Sequence, residues 1–267
     1  MKQLMWTFIN STKVRSNRRC FFRITLLPVL YIFTLNTLVA QSSSIKPLQR
    51  TLDHLVTRNK GYGGGVARIS NAQGIVWEGA SGLTAGPDSA PMGLETPFEI
   101  ASITKAVTAA TILRLTEEGK LRLDSTLSET LPADQIRGFN GNITVRQLLS
   151  HRSGLPDYWT DGPLDGKKSN AFLRRFLAEP QHFWQSNEML AFARDIPAKP
   201  AGRGFNYSDT NYVLLGLIIE RITGHSLQRV FREMIFEPLG MQSTWLTYRE
   251  SQRGAAPSHR YEKKEDL

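Results

Sequence analysis

Cysteine is almost absent from this sequence. Of 267 residues only Cys20 is a cysteine, and it lies among the first forty. The rest of the chain therefore has no disulfide, no thiolate metal ligand and no cysteine nucleophile. The five histidines show no metal-binding spacing, and neither a Walker loop nor a dinucleotide-binding fingerprint occurs. We expect no metal and no other cofactor.

Acidic residues are missing from residues 1–40. That segment holds six of the 33 Lys and Arg residues and none of the 24 Asp and Glu residues. The formal net charge of +9 therefore falls to +3 in the remainder, where 27 basic residues face 24 acidic ones. The remainder also has no long run of Lys or Arg, so nucleic acid is excluded as a partner.

Residues 1–40 have the order of an export signal. A basic start precedes an apolar stretch at residues 24–35, and a small residue follows at Ala40. We expect this segment to be a signal peptide cleaved after Ala40, or else an uncleaved N-terminal anchor. In either case residues 41–267 are expected to be periplasmic or extracellular, with any membrane attachment made only through residues 20–40.

The hydrophobic pattern predicts one β-hairpin followed by a mainly helical chain. The hairpin is predicted from Val66–Ile69 and Ile75–Glu78, and the clearest helix from Ser102–Glu118, ended by Gly119. Further helices are predicted at residues 47–59, 144–151, 171–178, 187–193, 210–223 and 226–235. The later sequence offers no strand to extend the hairpin, so the sheet is expected to be incomplete.

The segment Ser102-Ile-Thr-Lys105 is the first candidate for chemistry. On a helix, residues three apart share one face, with Cβ atoms about 5–6 Å apart. This spacing lets a lysine take the proton of a serine nucleophile. The same pattern also arises by chance, and the alternative is an ordinary surface helix.

A second candidate, Tyr207-Ser-Asp209, lies in a polar loop just before an apolar helix. A phenol can act as a general base when a nearby ammonium stabilises its phenolate. The alternative is a helix N-terminus that Asp209 or Thr210 caps, with Tyr207 half buried.

A third segment, Leu148-Leu-Ser-His151-Arg-Ser153-Gly-Leu155, puts a histidine near a serine. Neighbouring positions at a helix end do not face each other, and the G-x-S-x-G elbow of many serine hydrolases is absent. We therefore interpret His151 as a structural hydrogen-bonding residue at the end of its helix. A catalytic role is the alternative.

Together these three segments resemble the serine β-lactamase-related family, which contains class C β-lactamases, D-alanyl-D-alanine carboxypeptidases and related esterases. The resemblance runs from Leu48 to Tyr261. It implies an α/β fold of the β-lactamase/transpeptidase type, with a helical subdomain and an antiparallel sheet. It also implies a small-molecule or peptidyl substrate, and we expect a monomer.

The resemblance also implies a mechanism for an exported serine hydrolase. Ser102 would be the nucleophile that forms an acyl-enzyme with an ester, amide or β-lactam, and its backbone N–H would form half of the oxyanion hole. Lys105 would hold the proton network of the serine. Tyr207 would act as base, first toward Ser102 and then toward the deacylating water.

Two features depart from the family pattern. Asp209, a predicted substrate-binding residue, stands where the family usually has Asn; a carboxylate only accepts hydrogen bonds, would pair with Lys105, and would repel carboxylate-bearing substrates. The third motif, Lys/His-Thr/Ser-Gly on a strand, is missing, because Arg221-Ile-Thr-Gly224 falls at the end of a predicted helix. We therefore expect residues 41–267 to be a domain without its C-terminal strands and helix. The alternative is a catalytically impaired fragment or a non-catalytic periplasmic binding or regulatory module.

Overall fold

The computed structural model describes residues 4–6, 45–58, 63–85, 89–162, 170–179, 181–254 and 257–258. The helices in chain order are α1 (residues 45–57), α2 (Thr104–Glu117), α3 (Leu127–Thr130), α4 (Val145–Leu149), α5 (Ala171–Ala178), α6 (Ser186–Arg194), α7 (Asp209–Thr223) and α8 (Leu227–Phe231). The strands are β1 (Leu4–Trp6), β2 (Gly64–Asn71), β3 (Gly74–Gly82), β4 (Phe98–Glu99) and β5 (Trp245–Leu246). The described residues form two compact units, one containing residues 99–253 and the other residues 45–98 with 254–258.

The smaller unit contains the predicted hairpin. Strands β2 and β3 pair antiparallel from Gly64↔Gly82 to Asn71↔Gly74, so each strand is longer than the sequence indicated. Helix α1 packs on this hairpin, and its Gln49 donates a 3.1 Å hydrogen bond to the Ala80 carbonyl. Among the described residues β2 and β3 form a sheet of two strands, as expected.

The larger unit is built around α7. Nine of the fifteen residues of α7 are buried, because its sequence is apolar on nearly every face. Helices α2, α4, α6 and α8 pack against it. Side chains with no exposed surface, among them Ile112, Leu148 and Leu214, form the centre of this core. The packing fixes the N-terminal ends of α2 and α7, which carry the candidate site.

Helix boundaries follow local capping chemistry. Thr144 accepts the Gln147 N–H while the Gln147 side chain accepts the Thr144 N–H, so the predicted cap of α4 is confirmed. Helix α4 ends at Leu149, two residues sooner than predicted, because His151 adopts the left-handed conformation with φ of 54°. Ser226 occupies the N-cap position of α8 without a side-chain cap.

The predicted helix at residues 226–235 divides into two parts. Helix α8 ends at Phe231, and a π-helical turn, Arg232–Phe236, follows it. The Arg232 side chain is buried there and donates hydrogen bonds to the Glu250 carboxylate and the Thr244 carbonyl. These bonds tie the turn to residues on both sides of β5.

The predicted leader lies outside the described residues except for β1. Strand β1 pairs antiparallel with β5, with Leu4 opposite Leu246. None of the helices in the described parts of the chain has the length and hydropathy needed to span a membrane.

Candidate active site

Ser102 lies in a single 3₁₀ turn, Ala101–Ile103, that leads directly into α2. Its side chain is exposed to solvent. Ala101, immediately before it, has a φ of 42°, a left-handed conformation that is strained for a residue with a Cβ. Such strain persists only where the surrounding structure enforces it, and it recurs at functional sites. The turn therefore presents the Ser102 hydroxyl outward from the start of a long helix.

Lys105 reaches back to Ser102 along the same helix face, as the sequence predicts. Its Nζ donates a 3.1 Å hydrogen bond to Ser102 Oγ and forms an ion pair with Asp209. Burial by itself lowers the pKa of Lys105, but the Asp209 carboxylate and the hydrogen bond with Tyr207 outweigh burial, so the net pKa lies above the ordinary value. Lys105 is therefore an ammonium throughout the physiological range.

Tyr207 brings a third group to the serine. Its hydroxyl forms a 2.8 Å hydrogen bond with Ser102 Oγ, and Lys105 Nζ lies 4.9 Å from the centre of its ring. The side chain is 43 % exposed. Ser102, Lys105, Tyr207 and Asp209 thus form one cluster, although the last two are about a hundred positions further along the chain.

Asp209 is the first residue of α7, and neither it nor Thr210 caps that helix. The Asp209 N–H instead donates to Asp157 Oδ1 at 3.1 Å, while Thr210 Oγ1 donates to the Pro156 carbonyl. Asp157 also accepts hydrogen bonds from the Trp159 N–H and the Thr160 hydroxyl. A carboxylate at this end of a helix is favoured by the helix dipole.

The sequence predicts no role for Asp157, which lies two residues beyond the Leu148–Leu155 segment. It is buried, and burial raises the pKa of its carboxyl, with the Asp209 charge adding to the effect and three hydrogen bonds opposing it. A single acid at this position is the only sequence signal for its role. Nothing near it in the sequence indicates a hydrogen bond to the helix that begins 52 positions later.

His151 forms the structural hydrogen bond predicted for it, but it also belongs to the site. Its Nδ1 accepts the Ser208 backbone N–H at 3.1 Å. Its ring stacks on the Tyr207 ring, with centroids 4.4 Å apart. Burial lowers the pKa of His151, and the Lys105 charge lowers it further, while Asp209 opposes both.

Ser153 is not arranged as a nucleophile. It is 1 % exposed, and its hydroxyl donates to Asn211 Oδ1 at 2.5 Å while accepting the Leu155 N–H. The segment Arg221-Ile-Thr-Gly224 ends α7, and Gly224 has a φ of 68°, so the prediction that it lies at a helix end and not on a strand is confirmed. Within the described ranges no three His, Cys, Asp or Glu side chains are grouped closely enough to hold a metal ion.

A cavity of about 90 Å³ lies alongside α7 in the same unit. Its walls are mainly apolar and aromatic, and they include Phe172, Trp184, Met189 and Gly216. None of the four residues clustered around Ser102 lines it. Two residues of the Ser102 cluster, Lys105 and Asp209, line a smaller recess of about 10 Å³ together with Ala101, Thr104 and Tyr212.

Comparison with known proteins identifies the family. The model of the family described as Beta-lactamase matches residues 48–266. Esterase EstB of Burkholderia gladioli is 31 % identical over 204 residues, which cover 73 % of this chain and 50 % of the esterase.

Two solved structures are similar in fold as well as sequence. A D-stereospecific amidohydrolase from Streptomyces sp. is 31 % identical with a TM-score of 0.64, over 79 % of this chain and 58 % of the amidohydrolase. The D-amino acid amidase of Ochrobactrum anthropi SV3, solved with L-phenylalanine amide, is 31 % identical with a TM-score of 0.60, over 76 % of this chain and 52 % of the amidase.

The fold and the family model place the chain among proteins of the β-lactamase/transpeptidase-like fold. It belongs to the Beta-lactamase family. The predicted family and fold class are confirmed. The chain spans between half and three fifths of the length of these three relatives.

Proposed function

We propose that this protein is an exported serine hydrolase that forms an acyl-enzyme at Ser102 with an ester, an amide or a β-lactam. The main support for the proposal is the environment of the Ser102 hydroxyl oxygen. Ser102 Oγ lies 3.1 Å from Lys105 Nζ and 2.8 Å from the Tyr207 hydroxyl. A hydroxyl flanked by an ammonium and a potential base is the arrangement that nucleophilic catalysis requires.

In the proposed reaction Tyr207 acts as a phenolate that the Lys105 ammonium stabilises. Ser102 Oγ attacks the substrate carbonyl carbon while its proton passes to Tyr207, and a tetrahedral oxyanion forms. When the carbon–heteroatom bond breaks, Tyr207 returns that proton to the leaving alcohol or amine. A water then attacks the acyl-enzyme carbonyl carbon and gives a proton to Tyr207. When the bond between that carbon and Ser102 Oγ breaks, Tyr207 passes the proton to Ser102 Oγ, and a carboxylic acid leaves. Each step moves one proton between named groups and needs no redox partner.

The start of α2 provides electrostatic help for the oxyanion. The backbone N–H of Ser102 belongs to the turn at the N-terminal end of that helix, where the helix dipole is positive. We assign this N–H to half of the oxyanion hole. Removing one such donor in a serine hydrolase costs a factor of about 10²–10³ in rate.

Asp209 defines the class of substrate. It puts a carboxylate next to Ser102, Lys105 and Tyr207, where that carboxylate forms an ion pair with Lys105. A substrate carboxylate brought close to Lys105 would meet the Asp209 charge as well. We therefore propose esters and amides that have no carboxylate at this position. The names of the three relatives, an esterase, an amidohydrolase and an amidase, support esters and amides as the substrates.

A non-catalytic binding or regulatory module is the second candidate. Two observations favour it: Asp209 neutralises part of the Lys105 charge that a Tyr207 phenolate needs, and Arg221-Ile-Thr-Gly224 cannot serve as the third motif because it ends a helix. In that case Ser102 would bind ligands without being acylated.

Hydrolysis assays distinguish the two candidates. Purified wild-type protein and Ser102→Ala are incubated with short-chain p-nitrophenyl esters, D-amino acid p-nitroanilides and a chromogenic cephalosporin. The hydrolase proposal expects turnover of the esters or anilides, which carry no carboxylate, and expects Ser102→Ala to abolish it. Equal release by both proteins on every substrate would favour the binding module.

Export and monomeric state are part of the proposal and are tested separately. Residues 1–40 are fused to alkaline phosphatase, which is active only outside the cytoplasm, and N-terminal sequencing locates any cleavage after Ala40. Sedimentation velocity over a hundredfold range of concentration tests the monomer. An inactive fusion that stays in the cytoplasm would contradict export, and an oligomer at every concentration would contradict the monomer. Neither result would affect the proposed reaction at Ser102.

A further inference from the structure

His151 holds the chain on both sides of Tyr207. The backbone N–H of Asn206 donates to the His151 carbonyl at 2.7 Å, and the backbone N–H of Ser208 donates to His151 Nδ1 at 3.1 Å. The residues immediately before and after Tyr207 are therefore bonded to the same histidine. Between these two anchors the Tyr207 ring lies against the imidazole, 4.4 Å away and inclined by 24°.

The hydrogen bonds define the protonation state of the imidazole. A backbone N–H can only donate, so Nδ1 must present a lone pair to Ser208. The side-chain amide nitrogen of Asn211 lies 3.2 Å from the same Nδ1 and can donate to it as well. His151 is therefore neutral, with its proton on Nε2, whenever this arrangement exists. A second proton on Nδ1 would face the Ser208 N–H directly and break the bond.

The backbone of His151 is held in a costly conformation. Its φ of 54° lies in the left-handed region, which is sparsely populated by residues with a Cβ. This conformation ends α4 and turns the carbonyl and the imidazole toward the Tyr207 loop. Strain of this kind costs about 1–3 kcal/mol and persists only where the surroundings enforce it, so the contacts of His151 with the Tyr207 loop and α7 hold it in this conformation.

We propose that His151 is a positioning residue for Tyr207: as a neutral imidazole it holds the phenol against Ser102, and when it takes up a proton it releases the Tyr207 loop and switches the site off. This proposal rests on the proposed function, because it gives Tyr207 a catalytic role. His151 itself touches neither the Ser102 hydroxyl nor any reacting atom in the mechanism.

The charged and titratable groups around His151 determine when it takes up a proton. Lys105 on α2 opposes a second positive charge, whereas Asp209 on α7 favours one. The rings of Tyr207 and Tyr212 lie within 5.2 Å of the imidazole. Burial is the largest influence and opposes protonation, so the pKa of His151 is below its ordinary value of 6.5. The switch is therefore predicted to operate below pH 6.5 and not at neutral pH.

Two substitutions separate the functions of the imidazole. In His151→Asn, the side-chain Oδ1 can replace Nδ1 as acceptor, and Asn tolerates a left-handed φ better than most residues. This variant keeps the anchor to Ser208 but cannot take up a proton. In His151→Phe, the aromatic ring remains and the acceptor is lost. Circular dichroism and thermal unfolding of both variants establish that each is folded at every pH used.

The test measures the second-order rate constant for labelling of Ser102 by a fluorophosphonate between pH 4.5 and pH 9. We expect wild type to lose reactivity on the acid side and His151→Asn to keep its plateau rate, within about tenfold, to lower pH. We expect His151→Phe to be slower by about tenfold to 100-fold at every pH, because a displacement near 1 Å at a reacting group costs about that much. Asp209 and Asp157 remain in both variants, so an acid limb that arises from either carboxyl would persist in His151→Asn.

Nitrogen NMR of ¹⁵N-histidine-labelled protein adds a readout that does not depend on reactivity. At pH 7.5 we expect the His151 resonances, assigned by their loss in His151→Asn, to show an unprotonated Nδ1 that accepts a hydrogen bond. An unchanged acid limb in His151→Asn, a wild-type rate in His151→Phe, or a protonated Nδ1 would each overturn the proposal. Absence of labelling in wild type at every pH would contradict the proposed function instead, and the Nδ1 measurement would still decide the tautomer.

Discussion

The Tyr207 hydroxyl lies 2.8 Å from Ser102 Oγ, although 105 positions separate the two residues in the chain. Neither residue is on a strand: Ser102 leads into α2, and Tyr207 lies in the loop just before α7. Packing of α2 against α7 brings the two helix starts together, and Lys105 and Asp209 form an ion pair across them. The positions of both hydroxyls therefore depend on the core of one compact unit.

Asp209→Asn should shift the alkaline limit of Ser102 reactivity to lower pH. The raised pKa of Lys105 depends on the Asp209 charge, and without that charge burial would lower the pKa. By the same linkage, the ion pair contributes stability that is fully present below the unfolded-state pKa of Lys105 and is lost as the pH rises through the folded-state pKa. Fluorophosphonate labelling from pH 7 to pH 11 measures the shift.

The same variant tests the proposed substrate class. With Asn at position 209 the repulsion of a substrate carboxylate disappears, so kcat/KM for a carboxylate-bearing ester should rise relative to that for its methyl-ester counterpart. Wild type and Asp209→Asn are compared on the matched pair. An unchanged ratio would show that Asp209 does not select substrates by charge.

Asp157→Ala and Asp157→Asn should affect stability differently. The alanine variant leaves the Asp209 N–H and the Trp159 N–H without an acceptor, at a cost of about 1–3 kcal/mol in the free energy of unfolding. The asparagine variant keeps Oδ1 and removes a buried charge next to Asp209. Urea denaturation at pH 7 measures both free energies.

The difference in stability between Asp157→Asn and wild type should depend on pH, because folding shifts the pKa of Asp157. The pKa of Asp157 is raised in the folded protein, so its protonated form stabilises the fold at low pH and that contribution is lost as the pH rises through the folded-state pKa. Asp157→Asn should therefore gain stability relative to wild type as the pH rises from 4 to 7. A growing disadvantage of the variant over this range would contradict the assignment.

Gly154→Ala should be strongly destabilising. Gly154 has a φ of 74°, and a Cβ added there would lie 2.2 Å from the Lys199 carbonyl oxygen. Gly119 is a matched control, because its φ of 69° is similar and nothing lies within 4 Å of its added Cβ. Gly119→Ala is expected to cost about 1 kcal/mol from backbone strain alone, and Gly154→Ala at least twice that. Equal losses for the two variants in thermal unfolding would rule out the steric contribution.

Ser153→Ala should lose stability but keep its reactive serine. The Ser153 hydroxyl is buried and joins the Leu155 N–H to Asn211 Oδ1, so its removal leaves both groups without that partner, at about 1–3 kcal/mol. Labelling by fluorophosphonate should proceed at close to the wild-type rate in the folded variant. Loss of labelling together with retained stability would make Ser153 a candidate nucleophile instead.

Local patterns predicted most of the elements and the pairing of Ser102 with Lys105. The hairpin, α2, the Thr144 cap and the Ser102–Lys105 pairing depend on residues close in sequence, and each lies where the pattern indicated. Matching to the family brought Tyr207 and Asp209 to the same site. The local features follow from spacing and composition, whereas the place of Tyr207 and Asp209 follows only from the resemblance to the family.

The supporting contacts could not be predicted in the same way. The Asp157–Asp209 bond and the His151–Ser208 bond join residues more than fifty positions apart, and no periodic pattern marks them. The sequence also does not predict the left-handed backbone at Ala101 and His151, because neither residue is a glycine or an asparagine. Both contacts join the segment that follows α4 to the start of α7.

Intact-protein mass spectrometry tests the central claim most directly. The 267-residue chain is mixed with an uncharged active ester, quenched in acid and weighed, then digested to locate the modification. The acyl-enzyme account predicts a mass increase equal to one acyl group, located on the peptide that contains Ser102 and absent from Ser102→Ala. An unmodified wild-type mass at every time and reagent concentration, or the same increase in Ser102→Ala, would contradict it.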